Sequence, residues 1–230
     1  MNNIENFDFS NLNTEEGNKQ GITIHVPANV AKTMLVEITG DSDLILNKMN
    51  DVTARKLIKQ RKDETQDLEK PNPWEAIITS MHWCNGKPTD FSEQGLKDAL
   101  NPINNAPGIP IFGLRMSFAD SVVRNEIDKY STKFKATVNI NGKGGLVPVK
   151  FTQHYLDEML MSPKKGAPIL SALNRFSGWK ATFCLQFLET AYSAEQLLNV
   201  INLAGFGIGI GSGRSSGYGR YHISNVAMIG

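Results

Sequence analysis

The sequence predicts an α+β fold in which helices pack on an antiparallel sheet. The hydrophobic fraction of 40% and the charged fraction of 20% are typical of a soluble globular chain. Residues 179–189, WKATFCLQFLE, alternate apolar and polar side chains, as a strand does when one of its faces is buried. An amphipathic helix and a second apolar strand follow, so strands and helices succeed one another along the chain.

Length, charge and cysteine content limit the possible functions. A chain of 230 residues can form one large domain or two small ones. The net charge of +1 excludes a uniformly basic protein but leaves room for one basic groove. The chain shows no signal-peptide pattern and no apolar run that approaches the roughly 18 residues of a membrane span, so we expect a cytoplasmic protein without a membrane partner. Cys84 and Cys184 lack zinc-site spacing and are expected to be reduced thiols.

The first strands are expected near the amino terminus. Residues 1–20 are rich in Asn and Glu without an apolar period, which predicts a flexible or loosely docked arm. Residues 22–26 form an extended segment, and residues 33–39 a clearer strand that ends at Gly40.

A helix is predicted from residue 44 to about residue 62, and it overlaps an insertion predicted near residues 47–73. Helical spacing places four basic residues on one face of it: Lys48, Arg55, Lys59 and Lys62. The acidic run DETQDLE follows at once, which favours a solvated, salt-bridged helix. The alternative is a basic stripe that faces nucleic acid.

The middle of the chain predicts a helix and a hairpin. Residues 71–83 are compatible with a strand or a short helix. Residues 111–127 predict a helix with Leu114, Phe118 and Val122 on its buried stripe. Residues 135–151 predict two strands joined at an Asn-Gly turn.

A long irregular segment follows the predicted hairpin. Residues 152–178 lose all periodicity, which predicts a functional or disordered loop inserted into the domain. Its basic residues are candidates for a nucleic-acid groove: Lys164, Lys165 and Arg175.

The last fifty residues predict a helix, a glycine-rich loop and a strand. Ser193 is a good N-cap, with Gln196 completing a capping box, and Gly205 is expected to end the helix. The loop covers residues 205–219, and residues 220–229 read as a strand. P-loops and dinucleotide fingerprints place a strand before the glycines and a helix after them, so both nucleotide sites are excluded.

Two interpretations of the glycine loop are open. Repeated glycine lets a backbone approach another molecule closely, Arg214 and Arg220 supply charge, and Tyr218 or Tyr221 supplies a stacking face, which together suit single-stranded nucleic acid. The alternative is a loop that passes tightly over the sheet, with its arginines solvated.

The segment NLAGFGIGIGSGRSSGYGRY resembles the glycine-rich loop of the repeat-associated mysterious protein (RAMP) superfamily, which includes CRISPR RNA-backbone subunits and CRISPR RNA-processing nucleases. The stretches VEITGDSDLILNKM, SGWKATFCLQF and SAEQLLNVINLAGFGIGIGSGR also resemble a group of bacteriophage and prophage proteins. The resemblance to the RAMP superfamily implies a single ferredoxin-like, RNA-recognition-motif-like domain over residues 21–230, with helices on one face of the sheet and long insertions. It also implies RNA or single-strand binding in a bacterial or phage-infected cell.

Carried over position by position, the resemblance implies that six glycines lie beside the ligand: Gly207, Gly209, Gly211, Gly213, Gly217 and Gly219. Arg214 and Arg220 would be the phosphate partners, with Tyr218 beside them.

Catalytic and metal sites are not predicted. The histidines available as a general base are His25, His82, His154 and His222, and the two in predicted strands, His25 and His222, are expected to be ordinary strand residues. The acidic pairs Asp41–Asp43 and Asp63–Glu64 lack further ligands at metal-site spacing.

The sequence therefore predicts a non-enzymatic protein that binds single-stranded DNA or RNA through sequence-independent phosphate contacts, without a cofactor. Side-by-side assembly as a homo-oligomer or filament on the strand is expected. The alternatives are a metal-independent endoribonuclease and a mobile-element scaffold or inhibitor that binds protein.

Overall fold

A computed structural model describes residues 31–61, 72–161 and 169–229. The strands are β1 Ala31–Gly40, β2 Leu44–Leu46, β3 Gly108–Pro110, β4 Val138–Asn141, β5 Leu146–Lys150, β6 Gln153–Met161, β7 Ile169–Ser177, β8 Lys180–Leu188 and β9 Tyr221–Ile229. The helices are α1 Asp51–Arg61, α2 Pro73–Thr79, α3 Glu93–Leu100, α4 Ile111–Arg124, α5 Thr132–Thr137 and α6 Ala194–Gly207. The predicted arm and the extended segment at residues 22–26 lie outside the described residues. None of the described helices is long and apolar enough to cross a membrane.

The main sheet has the strand order β3–β5–β8–β1–β9, with β4 also paired to β8. β8 is antiparallel to β1, β4 and β5, and β1 is antiparallel to β9. Taken in chain order, β1, α4, the interrupted strand β4–β5, β8, α6 and β9 form the β-α-β-β-α-β arrangement of a ferredoxin-like domain. The predicted α+β class with an antiparallel, ferredoxin-like sheet is confirmed.

The core lies between one face of this sheet and helices α4 and α6. The alternation predicted for β8 is present, and its buried side chains are Ala181, Phe183, Leu185 and Phe187. β1 adds Met34, Val36 and Ile38, while α4 adds the predicted stripe of Leu114, Phe118 and Val122. The capping box at Ser193 is present and starts α6.

The helix predicted from residue 44 begins later than expected. Leu44, Ile45 and Leu46 are all buried and form β2, which pairs with β7, and α1 starts only at Asp51. A short run of consecutive apolar residues is compatible with either a buried strand or a buried helix turn. Here the run is covered on both sides, because Ile45 also pairs with Ser212 in the glycine-rich segment.

The prediction of a hairpin over residues 135–151 is wrong. β4 and β5 do not pair with each other; each pairs with β8, so together they form one interrupted strand beside it. The residues between them leave this strand as a bulge, in which Gly144 and Gly145 have positive φ. The Asn-Gly signal therefore marks an interruption of a strand and not a reversal of the chain.

The loop predicted over residues 152–178 is also corrected. β6 and β7 form a long antiparallel hairpin, which β2 joins in a second sheet of order β2–β7–β6. Lys164 and Lys165 lie outside the described residues, between these two strands.

The prediction that Gly205 ends α6 is wrong, because the helix continues to Gly207. A Cβ atom on Gly205 would lie 2.0 Å from the carbonyl oxygen of Tyr221. This glycine is therefore required by the close packing of α6 on β9.

Candidate functional site

The glycine loop, defined here as residues 208–220, is bound to β2 and to the turn between β1 and β2. Its backbone N–H groups at Ser212 and Gly219 donate to the carbonyl oxygens of Ile45 (2.9 Å) and Asp43 (2.8 Å). Within the loop, the N–H of Ile210 donates to the carbonyl of Gly219 at 3.0 Å. Backbone bonds thus fix the position of the loop on both sides.

Ser42 provides a second attachment. Its hydroxyl donates to the carbonyl oxygen of Gly217 (2.8 Å) and accepts from the N–H of Arg220 (2.9 Å). The carbonyl of Ser42 in turn accepts from the indole Nε1 of the buried Trp179 at 2.7 Å. The loop is therefore held by the core of the sheet.

Five loop glycines adopt positive φ: Gly209, Gly211, Gly213, Gly217 and Gly219. Many loop amides are used within the protein, so the glycines serve the folding of the loop first. Three consecutive amides, those of Gly213, Arg214 and Ser215, have no acceptor within the described part of the chain. Gly213 is left-handed and a helical turn starts at Arg214, an arrangement that points successive N–H groups into one anion-binding concavity.

A cleft of about 400 Å³ opens beside this concavity. The residues that line this arginine cleft are Asp120 and Arg124 of α4, Gly207 at the end of α6, and Ile208, Arg214, Ser215 and Arg220 of the glycine loop. Three guanidinium groups thus meet one carboxylate.

The charge of these arginines is not neutralised by ion pairs. Among the described residues, Arg124, Arg214 and Arg220 make no salt bridge with a carboxylate. Arg220 donates through Nη2 to the carbonyl of Arg214 at 3.3 Å, while its Nη1 is buried without a partner. A buried donor without an acceptor is energetically costly.

A second cleft, of about 300 Å³, lies on the other side of Arg214. We term it the apolar cleft; its lining residues come from β2 and the following turn, from the end of α2, from the start of α4 and from the glycine loop. Phe112 lines it with 75% of its surface exposed. His82 lines it too, and burial, with a smaller effect of Lys48, lowers the pKa of that imidazole, so it is neutral at pH 7.

The two clefts form one groove along α4. Phe112 and Met116 line the apolar cleft, and Asp120 and Arg124 line the arginine cleft. These residues recur every four positions and so share one face of the helix, which spans about 18 Å at a rise of about 1.5 Å per residue. Arg214 lines both clefts and marks their junction.

The structure places the predicted loop residues in different surroundings. Gly207, Arg214 and Arg220 meet in the arginine cleft, and Gly211 lines the apolar cleft. Tyr218 is half-buried and is not an open stacking face, since the Arg175 guanidinium lies 5.6 Å from its ring centre.

Arg175 lies in β7 and bridges two carboxylates. Its Nε donates to Asp43 at 2.6 Å and its Nη1 to Asp157 at 3.0 Å, and these bonds raise the pKa of the guanidinium above its ordinary value. The side chain lies near the rings of both Tyr155 and Tyr218. Its positive charge is already balanced, unlike that of the three arginines in the arginine cleft.

The basic stripe predicted on residues 48–62 is only partly described. Lys48 precedes α1, and its Nζ lies 4.0 Å from Asp51, while Arg55 Nη2 lies 2.7 Å from Glu75. Lys59 lies in α1, where its side chain is outside the described part, as is the whole of Lys62. Both described side chains lie near a carboxylate, while the acidic run at residues 63–69 lies outside the described residues.

Sequence reasoning missed Phe112 and Arg124 as groove residues. The buried stripe of α4 was recognised, but a helix also presents an outer face, and the i, i+4 recurrence of Phe112, Met116, Asp120 and Arg124 was its signal. The outer face of α4 is a groove wall only because the glycine loop lies beside it, and that loop is distant from α4 in sequence.

Two of the other three histidines contact groups outside the groove. His154 Nε2 lies 2.9 Å from Asn174 Oδ1, and burial lowers its pKa. His222 Nδ1 lies 2.6 Å from Asp41 Oδ1 at the surface. His25 is outside the described residues, within which no group of three or more His, Cys, Asp or Glu could hold a metal ion.

No protein-family model and no curated protein sequence matches the chain. Among solved structures, it is similar to a chain in the cryo-EM structure of the type III-B Cmr-beta bound to cognate target RNA, with a TM-score of 0.48 and 14% identity over 86% of this chain and 61% of that chain. It is also similar to Cmr6 from Pyrococcus furiosus, with a TM-score of 0.38 and 10% identity over 85% of this chain and 98% of that chain.

Proposed function

We propose that the protein binds single-stranded DNA or RNA in the groove along α4, through sequence-independent contacts to phosphate. It does so without cleaving the strand and without a cofactor. Copies assemble side by side on a long strand.

The observation that carries this proposal is the arginine cleft. Arg124, Arg214 and Arg220 come from two separate parts of the chain and converge with one opposing carboxylate, Asp120. In a protein with a net charge of +1, three converging arginines that have no ion-pair partner within the described ranges concentrate positive potential at one place. Arginine forks match the geometry of phosphate oxygens.

The backbone of the glycine loop supports the same ligand. The three consecutive amides of residues 213–215 can donate to phosphate oxygens beside the guanidinium groups. Gly207 borders the cleft with no atom within 4 Å of the position of a Cβ, so the wall is open to a ligand backbone. Such contacts read phosphate and not base sequence.

Fluorescence anisotropy tests this function. Labelled single-stranded DNA, single-stranded RNA and duplex DNA are titrated at two salt concentrations with the protein and with the Arg214→Gln/Arg220→Gln double variant. We expect single-strand binding that weakens with salt, and a loss of about tenfold or more in the double variant. The matched control is Lys97→Gln/Lys143→Gln, which removes the same charge from two exposed sites outside the arginine cleft.

Each contrary result has a distinct meaning. A folded protein that binds none of the three nucleic acids at low salt excludes the proposal and favours the protein-binding scaffold or inhibitor. Equal losses in the arginine variant and the lysine control would show that only net charge matters and that the groove is not the site.

A metal-independent endoribonuclease is the second candidate, and His82 is the observation that favours it. This imidazole lies in the groove with Arg214, and its lowered pKa keeps it in the form that accepts a proton. Incubation of end-labelled RNA with the protein and with His82→Gln, followed by a denaturing gel, separates the two functions. Cleavage that the protein shows and the variant lacks would establish the nuclease.

A further inference from the structure

We infer that the apolar cleft is a nucleobase pocket, in which one base of the bound strand is unstacked from its neighbours and packs against Phe112. This inference rests on the proposed function. It assigns the phosphate to the arginine cleft and the base to the apolar cleft. Nothing in the phosphate contacts of the arginine cleft requires it.

The exposure of Phe112 is the first argument. This ring is 75% exposed although it lines a cleft, and it lies at the start of α4, where Gly113 leaves open space beside it. Exposed aromatic rings beside a positive groove are the usual stacking platforms for single strands. Tyr218, the aromatic residue of the glycine loop, is instead engaged with Arg175.

The lining of the cleft is the second argument. Its volume of about 300 Å³ is at the lower end of the range for small-molecule sites, and its walls are largely apolar, as a planar base requires. Asn47, His82 and Ser212 add polar groups at separate points. The side-chain amide of Asn47 has no hydrogen-bond partner among the described residues, so its donor and acceptor remain available to the edge of a base.

Continuity with the phosphate site is the third argument. Arg214 lines both clefts, so a phosphate held by its guanidinium lies at the mouth of the apolar cleft. The sugar and base of the adjoining nucleotide then extend along α4 toward Phe112. An unpaired strand can present a base in this way, whereas the bases of a duplex are stacked and paired.

Oligonucleotides with and without bases test the pocket. The affinities of the protein, Phe112→Ala and Phe112→Trp are measured for a short single strand and for an abasic strand of the same length, which keeps every phosphate. We expect Phe112→Ala to lose at least about fivefold in affinity for the normal strand and nothing for the abasic strand, with Phe112→Trp close to the unaltered protein. The matched control is Phe206→Ala, since Phe206 is 85% exposed but does not line the apolar cleft.

The outcomes separate this inference from the proposed function. If binding depends on salt and on Arg214 but Phe112→Ala has no effect, the base pocket is wrong and the phosphate groove stands. If Phe206→Ala and not Phe112→Ala removes the preference for the normal strand, the base contact lies elsewhere and the pocket is again wrong. If no strand binds, both proposals fail together.

Discussion

Single glycines in the loop differ in what their substitution should cost. Gly219 has φ of +69°, and a Cβ on it would lie 1.9 Å from the carbonyl oxygen of Ile210. Gly217 has φ of +87°, but nothing lies within 4 Å of its Cβ position. The two residues therefore separate backbone strain from a steric clash with backbone.

We expect Gly217→Ala to lower the free energy of unfolding by about 1–2 kcal/mol, which is the cost of a left-handed non-glycine residue. Gly219→Ala should cost about 3 kcal/mol or more, because the clash must also move the backbone of the loop. Urea unfolding of both variants measures the difference. Equal losses would contradict the packing role assigned to Gly219.

Two half-buried histidines make stability depend on pH. Burial lowers the pKa of His154 and of His82 from the ordinary value of 6.5. The unfolded chain therefore binds more protons than the folded chain below about pH 6.5, so stability is fully present above that pH and is lost as the pH falls through the lowered pKa values.

We expect His154→Gln to reduce the loss of thermal stability between pH 7.5 and pH 5.5, because the variant has no imidazole to protonate at that site. Thermal unfolding at the two pH values measures this. The control is His222→Gln, which alters an exposed imidazole paired with Asp41. An unchanged pH dependence in His154→Gln would show that the ring does not resist protonation.

At the scale of elements, the β6–β7 hairpin is attached to α2 through Asn174. This side chain is fully buried; its Nδ2 donates to the carbonyl of Ile77 (3.1 Å) and to Ser80 Oγ (3.0 Å), and its Oδ1 lies 2.9 Å from His154. Because Ser80 also lines the apolar cleft, the amide joins the hairpin to the groove.

We expect Asn174→Ala to destabilise the protein by about 2–3 kcal/mol, since it leaves buried polar groups without partners. Chemical unfolding measures the loss, with Asn139→Ala at an exposed position of β4 as the control. A loss no larger than that of the control would show that water replaces the amide and that it does not anchor the hairpin.

Two of the basic segments predicted to bind nucleic acid, the glycine loop and the β6–β7 hairpin, should contribute differently. Arg214 has no carboxylate partner among the described residues, whereas Arg175 in the hairpin bridges Asp43 and Asp157. We expect Arg214→Gln to lower the salt slope of single-strand binding by about 0.7, the value for one phosphate contact, and Arg175→Gln to leave it unchanged. Anisotropy titrations over a salt series give both slopes. A lower salt slope in Arg175→Gln would show that the β6–β7 hairpin also contacts phosphate.

Local patterns predicted the elements that depend on local chemistry. The alternation of β8, the capping box at Ser193 and the buried stripe of α4 are short-range features, and each is present. The buried strand β2 was missed because its partner, β7, lies far along the chain. The β6–β7 hairpin pairs neighbouring segments, and it was missed because residues 152–178 show no alternation of apolar and polar side chains. Pairing between distant strands leaves little periodic signal in a sequence when both faces are covered or both are polar.

At the scale of the whole molecule, the ferredoxin-like topology creates the groove. α4 and α6 lie on the same face of the sheet, so the loop that leaves α6 meets the outer face of α4. The sequence identified Arg214 and Arg220 because they stand among glycines. It could not identify Phe112 and Arg124, which join them only after the chain has folded.

The strand at one edge of the main sheet, β9, could pair with a strand of a second copy. β9 pairs with β1 on one side, and its other edge has no strand partner among the described residues. Near its end it exposes three apolar side chains: Val226, Met228 and Ile229. An exposed apolar edge strand is a template for pairing with another chain.

We expect copies to associate through this edge when a long single strand brings them together, because binding to one strand raises their local concentration. Sedimentation velocity should show one copy on a short oligonucleotide and several in a series on a long one. Val226→Lys with Met228→Lys should abolish the series, since charged side chains protect edge strands, while leaving affinity for the short oligonucleotide unchanged. A single bound copy on every length would exclude assembly. An unaltered series in the lysine variant would instead move the contact away from β9.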